Sequence, residues 1–343
     1  MVRYALLAHP GHNRIYFEAS LQFAQQELLA LLEGCGARAP RFIESPAGLP
    51  EAVCFECEVA LDQAAKAAVA SSSIAYALFE ITADDLLKPV VLPGFAGLPE
   101  SLGQILKYSG KTNEQFTRLL VNLALSACQT PEIKKTLLDP MCGKGTSLFE
   151  GLIRGFDVVG CEINGKWLQE LQVYMIRYLK TGRFKHRVRK EKRSRPDGRK
   201  IADGFLIETA VDRDDFANNE RQSIKAFAAD TRDLGVLVKK ESCDILVSDL
   251  PYGVQHGSKT VGQGKMDRRP DQLLDEALPG WQRALKVGGA LAISFNSHSL
   301  PVATAQEILA RHGFEVLREP PFSGFAHKVD QAILRDLVVA RRV

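Results

Sequence analysis

The chain has 343 residues, 45% of them hydrophobic and 25% charged, with a formal net charge of +3. That balance belongs to a folded chain of two domains, or of one large domain with an appendage, and excludes a disordered or low-complexity protein. No apolar run approaches the ~18 residues that span a bilayer, and the opening MVRYALLAHPGHNR lacks a cleavable signal, so a cytoplasmic protein without membrane contact is expected.

Residues 2–8 read as a strand, 16–33 as an amphipathic helix stopped by Gly34, 52–59 as a strand, 61–70 as an Ala-rich helix and 74–81 as a strand. This pattern predicts a small two-layered α+β domain of ferredoxin-like type over 1–87. His9, His12 and Arg14 share its first loop and read as polar surface. Cys54 and Cys57 form a CxxC with no second pair at zinc spacing, and the seven cysteines are an odd, scattered set, so thiols and no metal site are expected. A Pro/Gly-rich passage at 88–103 reads as a linker.

The next helix is capped by Thr112 or Asn113, with Gln115 in capping-box position to Thr112. It carries Phe116, Leu119, Leu120, Leu123, Ala124 and Ala127 on one face and stops before Pro131. From there strands (136–140, 157–162, 224–229, 243–249, 289–295, 314–318, 332–340) alternate with helices (146–155, 165–180, 271–286, 300–312). Alternation of this kind predicts a doubly wound, mainly parallel Rossmann-like sheet over 104–343. The last two strands leave no room for a crossover helix, so the final one is expected to be antiparallel. The aromatic stripe Trp167, Leu171, Tyr174, Tyr178 reads as core. An aperiodic basic insertion follows at about 181–221: between residues 180 and 200 stand 11 Lys/Arg against two acids. A solvated loop or hairpin and a phosphate-contacting arm are equally open there.

The stretch LLDPMCGKGTSLFEG joins a strand to a helix through Gly143 and Gly145. By itself GKGT leaves nucleotide binding and a plain turn open. It is not a phosphate loop, because the position five before Gly145 is Pro140 and Gly143-Lys144 is followed by Gly145 where that motif needs Ser or Thr; Lys144 then has no phosphate to hold and reads as a solvent-facing turn residue. Acids close three successive strands: Asp139, Glu162 and Asp230. One adenosyl ligand could meet all three, with Asp139 near its amino-acid end, Glu162 at the ribose hydroxyls and Asp230 at the adenine amino group. The next strand, CDILVSD, ends in Asp249-Leu250-Pro251-Tyr252-Gly253. An exocyclic amine is a poor nucleophile because its lone pair is delocalised into the ring, so it needs acceptors on its N–H groups. The Asp249 carboxylate and the Leu250 carbonyl, held by Pro251, supply two, and Tyr252 can stack on the base.

DPMCGKGTSLFEG followed by SDLPYG resembles the class I S-adenosylmethionine-dependent methyltransferases that act on exocyclic amines, with Leu250 in place of the first proline of their Asp/Asn-Pro-Pro-Tyr signature. That variant is similar to the THUMP-associated RNA methylases that make N2-methylguanosine in tRNA. The N-terminal segments FEASLQFAQQELLALLEGCG and AKAAVASSSIAYALFEI resemble the first domain of the Trm11-type members. Between 81 and 103 there is no room for a THUMP module. The resemblance implies S-adenosylmethionine as cofactor, held by Lys111, Thr112, Asp139, Pro140, Cys142, Gly143, Gly145, Thr146, Glu162, Ile163, Asp230, Thr231 and Asp249. It implies catalysis by Asp249, Leu250, Pro251 and Tyr252 on guanine N2 of RNA, tRNA first. Arg183, Lys185, Arg187, Arg189, Lys259 and Arg268 are the expected nucleic-acid contacts, with the loop 254–270 as a lid. DNA adenine N6 and non-catalytic RNA binding are the alternatives.

Overall fold

The computed structural model describes the chain apart from residues 11–13, 106–111, 195–197, 199 and 253–268, and gives the backbone alone for 14, 15 and 105. Its first part runs β1 (Val2–Ala8), α1 (Arg14–Gly34), β2 (Arg41–Ile43), β3 (Ala52–Cys57), α2 (Gln63–Ala70), β4 (Ala75–Ile81) and β5 (Leu87–Val90). The sheet order β2-β3-β1-β4-β5, antiparallel throughout, is the expected ferredoxin-like arrangement with one strand added at its edge.

The helix α1 is buried on two sides. Ala24, Leu28 and Leu32 pack on the small sheet, whereas Tyr16, Ala19, Phe23 and Ala30 join the core of the larger one against α4 (Glu114–Ala127). A buried polar chain runs through the same contact. Glu27 of α1 accepts from Ser72 Oγ (2.9 Å), Ser73 N (2.9 Å), Ser73 Oγ (2.8 Å) and Asn122 Nδ2 (2.5 Å), and Asn122 Oδ1 accepts from Arg154 Nη2 (2.6 Å). Burial still raises the Glu27 carboxyl's pKa, with the donors opposing it.

The passage 88–103 is tied down. Its first residues complete β5, and the amides of Gly97 and Leu98 bond the carbonyls of Ile153 and Leu152, both at 3.0 Å. A Cβ on Gly97 would lie 1.9 Å from the Leu152 carbonyl oxygen, so this glycine is a close backbone contact and not a hinge. The short α3 (Ser101–Ile105) follows.

Beyond α4 the chain continues β6 (Thr136–Asp139), α5 (Thr146–Ile153), β7 (Asp157–Glu162), α6 (Gly165–Thr181), β8 (His186–Ser194), β9 (Lys200–Thr209), α7 (Arg213–Ala217) and β10 (Gln222–Ala228). A 3-10 turn (Thr231–Asp233) leads to α8 (Leu234–Leu237), β11 (Cys243–Asp249), α9 (Pro270–Ala284), β12 (Leu285–Asn296), α10 (Val302–Arg311), β13 (Phe314–Leu317), β14 (His327–Lys328) and β15 (Leu334–Arg342). The sheet order is β13-β15-β12-β11-β6-β7-β10-β9-β8, with β14 on β15. From β12 to β10 the strands are parallel, and β15 is antiparallel to both its neighbours, as its short connection requires. The chain order reverses between β6 and β11, which makes the carboxyl ends of those strands the place where an open α/β sheet takes a ligand.

Of the readings open for the basic insertion, the structure shows a hairpin that belongs to the sheet. The insertion forms the hairpin β8–β9, whose second strand pairs antiparallel with β10 and extends the sheet. Its place is paid for by Phe205 and Ile207, which are buried beside Ile224 and Ala226, while the edge strand β8 stays charged and exposed. In α6 the stripe is core only in part: Leu168, Leu171, Met175 and Leu179 are buried, but Trp167 is 41% exposed at the helix start.

Candidate active site

The turn between β6 and α5 takes its shape from its two glycines, which sit at φ +52° (Gly143) and +93° (Gly145), left-handed conformations that cost side-chain-bearing residues. A Cβ on Gly145 would also come within 2.6 Å of Leu171 Cδ1. The turn is clamped from below by Cys142 N on Cys161 O (2.9 Å) and from inside by Gly145 N on Cys142 O (2.7 Å). Pro140, Cys142, Gly145 and Thr146 are buried, and burial pushes the Cys142 thiol well up, so this cysteine is a packing residue. Lys144 departs from the solvent-facing expectation: its ammonium pairs with Glu170 of α6 at 2.6 Å.

Two buried acids face this turn. Asp139 accepts from Met141 N (3.0 Å), Ser248 Oγ (3.1 Å) and Ser147 Oγ. Glu162 accepts from Gly143 N (2.9 Å) and Asn164 N (2.7 Å), so its carboxylate ties the β6 turn to the β7 turn. Beside it Ile163 is 53% exposed, an apolar face at the mouth of the site. Burial pushes the Asp139 carboxyl up to about 7, with Glu162 adding repulsion, and burial also raises the Glu162 pKa. Two buried acids that are costly to ionise fit a ligand that brings its own positive charge and hydroxyl donors, as S-adenosylmethionine does.

The raised pKa has a checkable consequence. Because the folded chain holds the Asp139 proton more tightly than the unfolded one, the stability this group adds is complete below its ordinary value of 3.8 and is lost as pH rises through about 7. Thermal unfolding across that range should show the Tm of the wild type dropping relative to that of Asp139→Asn as pH rises; a constant difference would show that folding does not raise the Asp139 pKa.

The third strand-end acid is differently placed. Asp230 accepts from Arg232 N (2.9 Å) and is gripped by the Arg232 guanidinium at 3.0 and 2.7 Å, which together lower its pKa. An adenine amino group would have to compete with that fork. Thr231 turns inward, its hydroxyl accepting from Trp281 Nε1 at 2.8 Å.

At the end of β11 Asp249 is the centre of a cluster. Its Oδ1 accepts from Tyr252 OH (2.5 Å) and Ser294 Oγ (2.6 Å), and its Oδ2 accepts from Thr112 Oγ1 (2.9 Å). Leu250 N bonds Ser294 O at 2.8 Å while the Leu250 side chain is buried. The Tyr252 hydroxyl in turn accepts from Arg335 Nε at 2.5 Å, and burial raises the phenol's pKa steeply. Sequence reasoning missed Ser147, Ser248, Ser294 and Arg335. Ser248 stands next to Asp249 in the chain, whereas Ser294 and Arg335 carry no local signal.

Of the nucleic-acid candidates, the described ones (Arg183, Lys185, Arg187 and Arg189) are not gathered at this site. By register Lys192 stands level with Ala228 at the carboxyl end of β10, whereas Arg187 stands level with Ser223 near its start. Arg183 and Lys185 lie further back, lining an open cleft of about 570 Å³ with Lys180, His186 and Arg213. Arg189 is paired with Glu208 at 2.6 Å. It is Lys190, Lys192 and Arg193, the last paired with Glu191 at 3.5 Å, that lie toward the carboxyl ends of the parallel strands. Lys111, Lys259, Arg268 and the expected lid at 254–270, except for Arg269 and Pro270, lie outside the described residues, as does His12. Among the described residues no cluster of metal-ligating side chains occurs and no helix is long and apolar enough to cross a membrane.

A family model described as RMKL-like, methyltransferase domain, matches residues 107–312. No curated protein matches the sequence. Among solved structures, TrmN from Thermus thermophilus is 15% identical over 71% of this chain and 52% of its own, with a TM-score of 0.42. The fibrillarin pre-rRNA processing protein of Methanococcus jannaschii is 14% identical over 65% and 74%, with a TM-score of 0.34. Magnesium protoporphyrin IX methyltransferase from Synechocystis, with bound S-adenosylmethionine, is 14% identical over 61% and 70%, with a TM-score of 0.36. The chain thus spans about half the length of TrmN.

Proposed function

From the premise that this chain belongs to the family of RMKL-like methyltransferase domains, we propose that it methylates an exocyclic amine of an RNA base, guanine N2 in tRNA first, using S-adenosylmethionine. The observation that carries this reading is the Asp249 cluster, a strand-end carboxylate and a proline-held carbonyl across the switch point from the glycine turn. The THUMP-associated guanine-N2 type is the finer assignment, supported by the wording of DLPYG and by the ferredoxin-like sheet at 1–87, taken as a separate module.

In this reading Glu162 holds the ribose hydroxyls, Asp139 and the amides of the glycine turn hold the amino-acid end, and Ile163 packs on the adenine. Asp230 reaches the adenine amino group only by sharing its fork with Arg232. When bound, S-adenosylmethionine supplies a methyl carbon on a sulfonium that leaves as a neutral thioether, so no side chain has to stabilise a leaving anion. The chain's part is positioning. Asp249 Oδ2 and the Leu250 carbonyl each accept one N–H of the amine, which draws the nitrogen out of conjugation as its lone pair forms the new N–C bond. The proton released from that nitrogen passes to Asp249 and then to water. The base is flipped or single-stranded when it reacts, since an amine inside a duplex could not reach the strand end. The support for RNA is the basic edge strand β8, whose cofactor-side half carries Lys190, Lys192 and Arg193.

The test is methyl transfer from labelled S-adenosylmethionine to total RNA, to tRNA and to DNA, followed by digestion to nucleosides. N2-methylguanosine from RNA is the expected product. N6-methyl-2′-deoxyadenosine from DNA would replace this reading with its alternative, and cofactor binding without transfer to any nucleic acid would leave a binding protein.

A further inference from the structure

Arg335 is a cation of the site that no sequence motif announces. It comes from β15, the antiparallel strand, and is 7% exposed. Its guanidinium lies between two rings, 4.5 Å from the centroid of Phe116 and 5.3 Å from that of Tyr252. Its Nε donates to the Tyr252 hydroxyl at 2.5 Å, and its Nη2 stands 3.8 Å from Asp249 Oδ2. A buried guanidinium costs several kcal/mol of desolvation and is retained where its partners are fixed in return.

The hydrogen bonds at Asp249 show what is being fixed. A carboxylate offers about four lone-pair positions, two on each oxygen. Tyr252 and Ser294 fill both positions on Oδ1, and Thr112 fills one on Oδ2. Among the described residues one position is left, on Oδ2, the oxygen that Arg335 faces. Arg335 donates to Tyr252, and Tyr252 donates to Asp249. Donor and acceptor polarise each other along such a relay, and it locks the carboxylate in the rotation that leaves Oδ2 for the incoming amine.

We infer that Arg335 is a positioning residue for methyl transfer, acting through the Tyr252 hydroxyl to present Asp249 Oδ2 to the amine. This rests on the reading of Asp249 given above. It also changes the part played by Tyr252: in this arrangement its hydroxyl is a strut between two charges, and its ring is already covered on one side by the guanidinium.

Arg335→Met keeps the apolar packing between the rings and removes the relay, and Tyr252→Phe removes the same relay from its middle. Each single variant is expected to lower kcat on RNA on the order of 100-fold, with KM for S-adenosylmethionine little changed. Because both cut one chain of hydrogen bonds, the double variant should be no slower than the slower single one, whereas two independent structural losses would multiply. Arg335→Lys, which keeps the charge without the fork, should fall between wild type and Arg335→Met, and it carries the test if Arg335→Met does not fold. Multiplying losses, or wild-type kcat in Arg335→Met or Arg335→Lys while RNA is methylated normally, would overturn the inference and leave the proposed function standing. A wild-type chain that transfers no methyl to RNA overturns both.

Discussion

Asp249→Ala should lower methyl transfer by about 10²- to 10⁴-fold, the range for removing a positioned proton acceptor, with the dissociation constant of S-adenosylmethionine within about twofold of wild type. The reason lies in what the side chain touches. Its two oxygens take hydrogen bonds from Tyr252, Ser294 and Thr112, all of which can turn to one another or to water when the carboxylate is gone, and none of which belongs to the glycine turn. The loss therefore falls on the step in which the amine nitrogen must be held, and not on cofactor capture. Asp249→Asn separates geometry from charge: it keeps an acceptor of the same size but cannot take the proton. Single-turnover rates and cofactor titration on the same preparations check this, and parallel loss of rate and affinity in Asp249→Ala would remove it from the role of amine acceptor.

Glu162→Ala should act in the opposite way, raising the dissociation constant of S-adenosylmethionine on the order of 100-fold, the effect of losing two hydrogen bonds to a charged group, with a smaller change in kcat at saturating cofactor. A second loss comes with it. Glu162 joins Gly143 N to Asn164 N, so its removal leaves two amides at the mouth of the site without their acceptor. That should cost about 1–3 kcal/mol for each amide that water does not reach, seen as a lower Tm in the absence of cofactor. Glu162→Gln retains one acceptor oxygen and should recover part of both losses. Cofactor binding by calorimetry together with thermal unfolding reads the two effects separately; an unchanged dissociation constant in Glu162→Ala takes this residue off the ribose.

The parts of the site that were legible in the sequence lie within a few residues of one another. A glycine turn between an apolar strand and a helix start, an acid closing each of three strands, and a DLPYG strand end are local patterns, because left-handed turns and strand ends are encoded by the residues that form them. The antiparallel last strand was legible as well, from the length of its connection. The basic insertion was legible as a possible hairpin but not as part of the sheet. Its charge hid the alternation of Phe205 and Ile207, and an edge strand needs apolar residues on one face only where neighbours cover it, so β8 could stay basic and still join the sheet. The helix α1 was legible as a helix but not in its double burial: it packs on the small sheet with one side and against α4 with the other, and a helix covered on two sides does not show a single apolar stripe.

The sequence by itself determined which residue types stand at the strand ends, where the chain turns, and hence that a methyltransferase-like sheet with a glycine turn and a DLPYG strand end is built. Only the tertiary structure decided how those groups are set to work. Asp230 is occupied by Arg232, and Lys144 by Glu170. Arg183, Lys185 and Arg187 stand toward the end of the sheet away from the cofactor side, and Arg335 arrives at Tyr252 from 83 positions along the chain. The physical reason is range. A turn or a cap is settled by contacts between near neighbours in the chain, whereas the partner of a carboxylate in an α/β sheet is set by strand order and register, which follow from how the whole core packs.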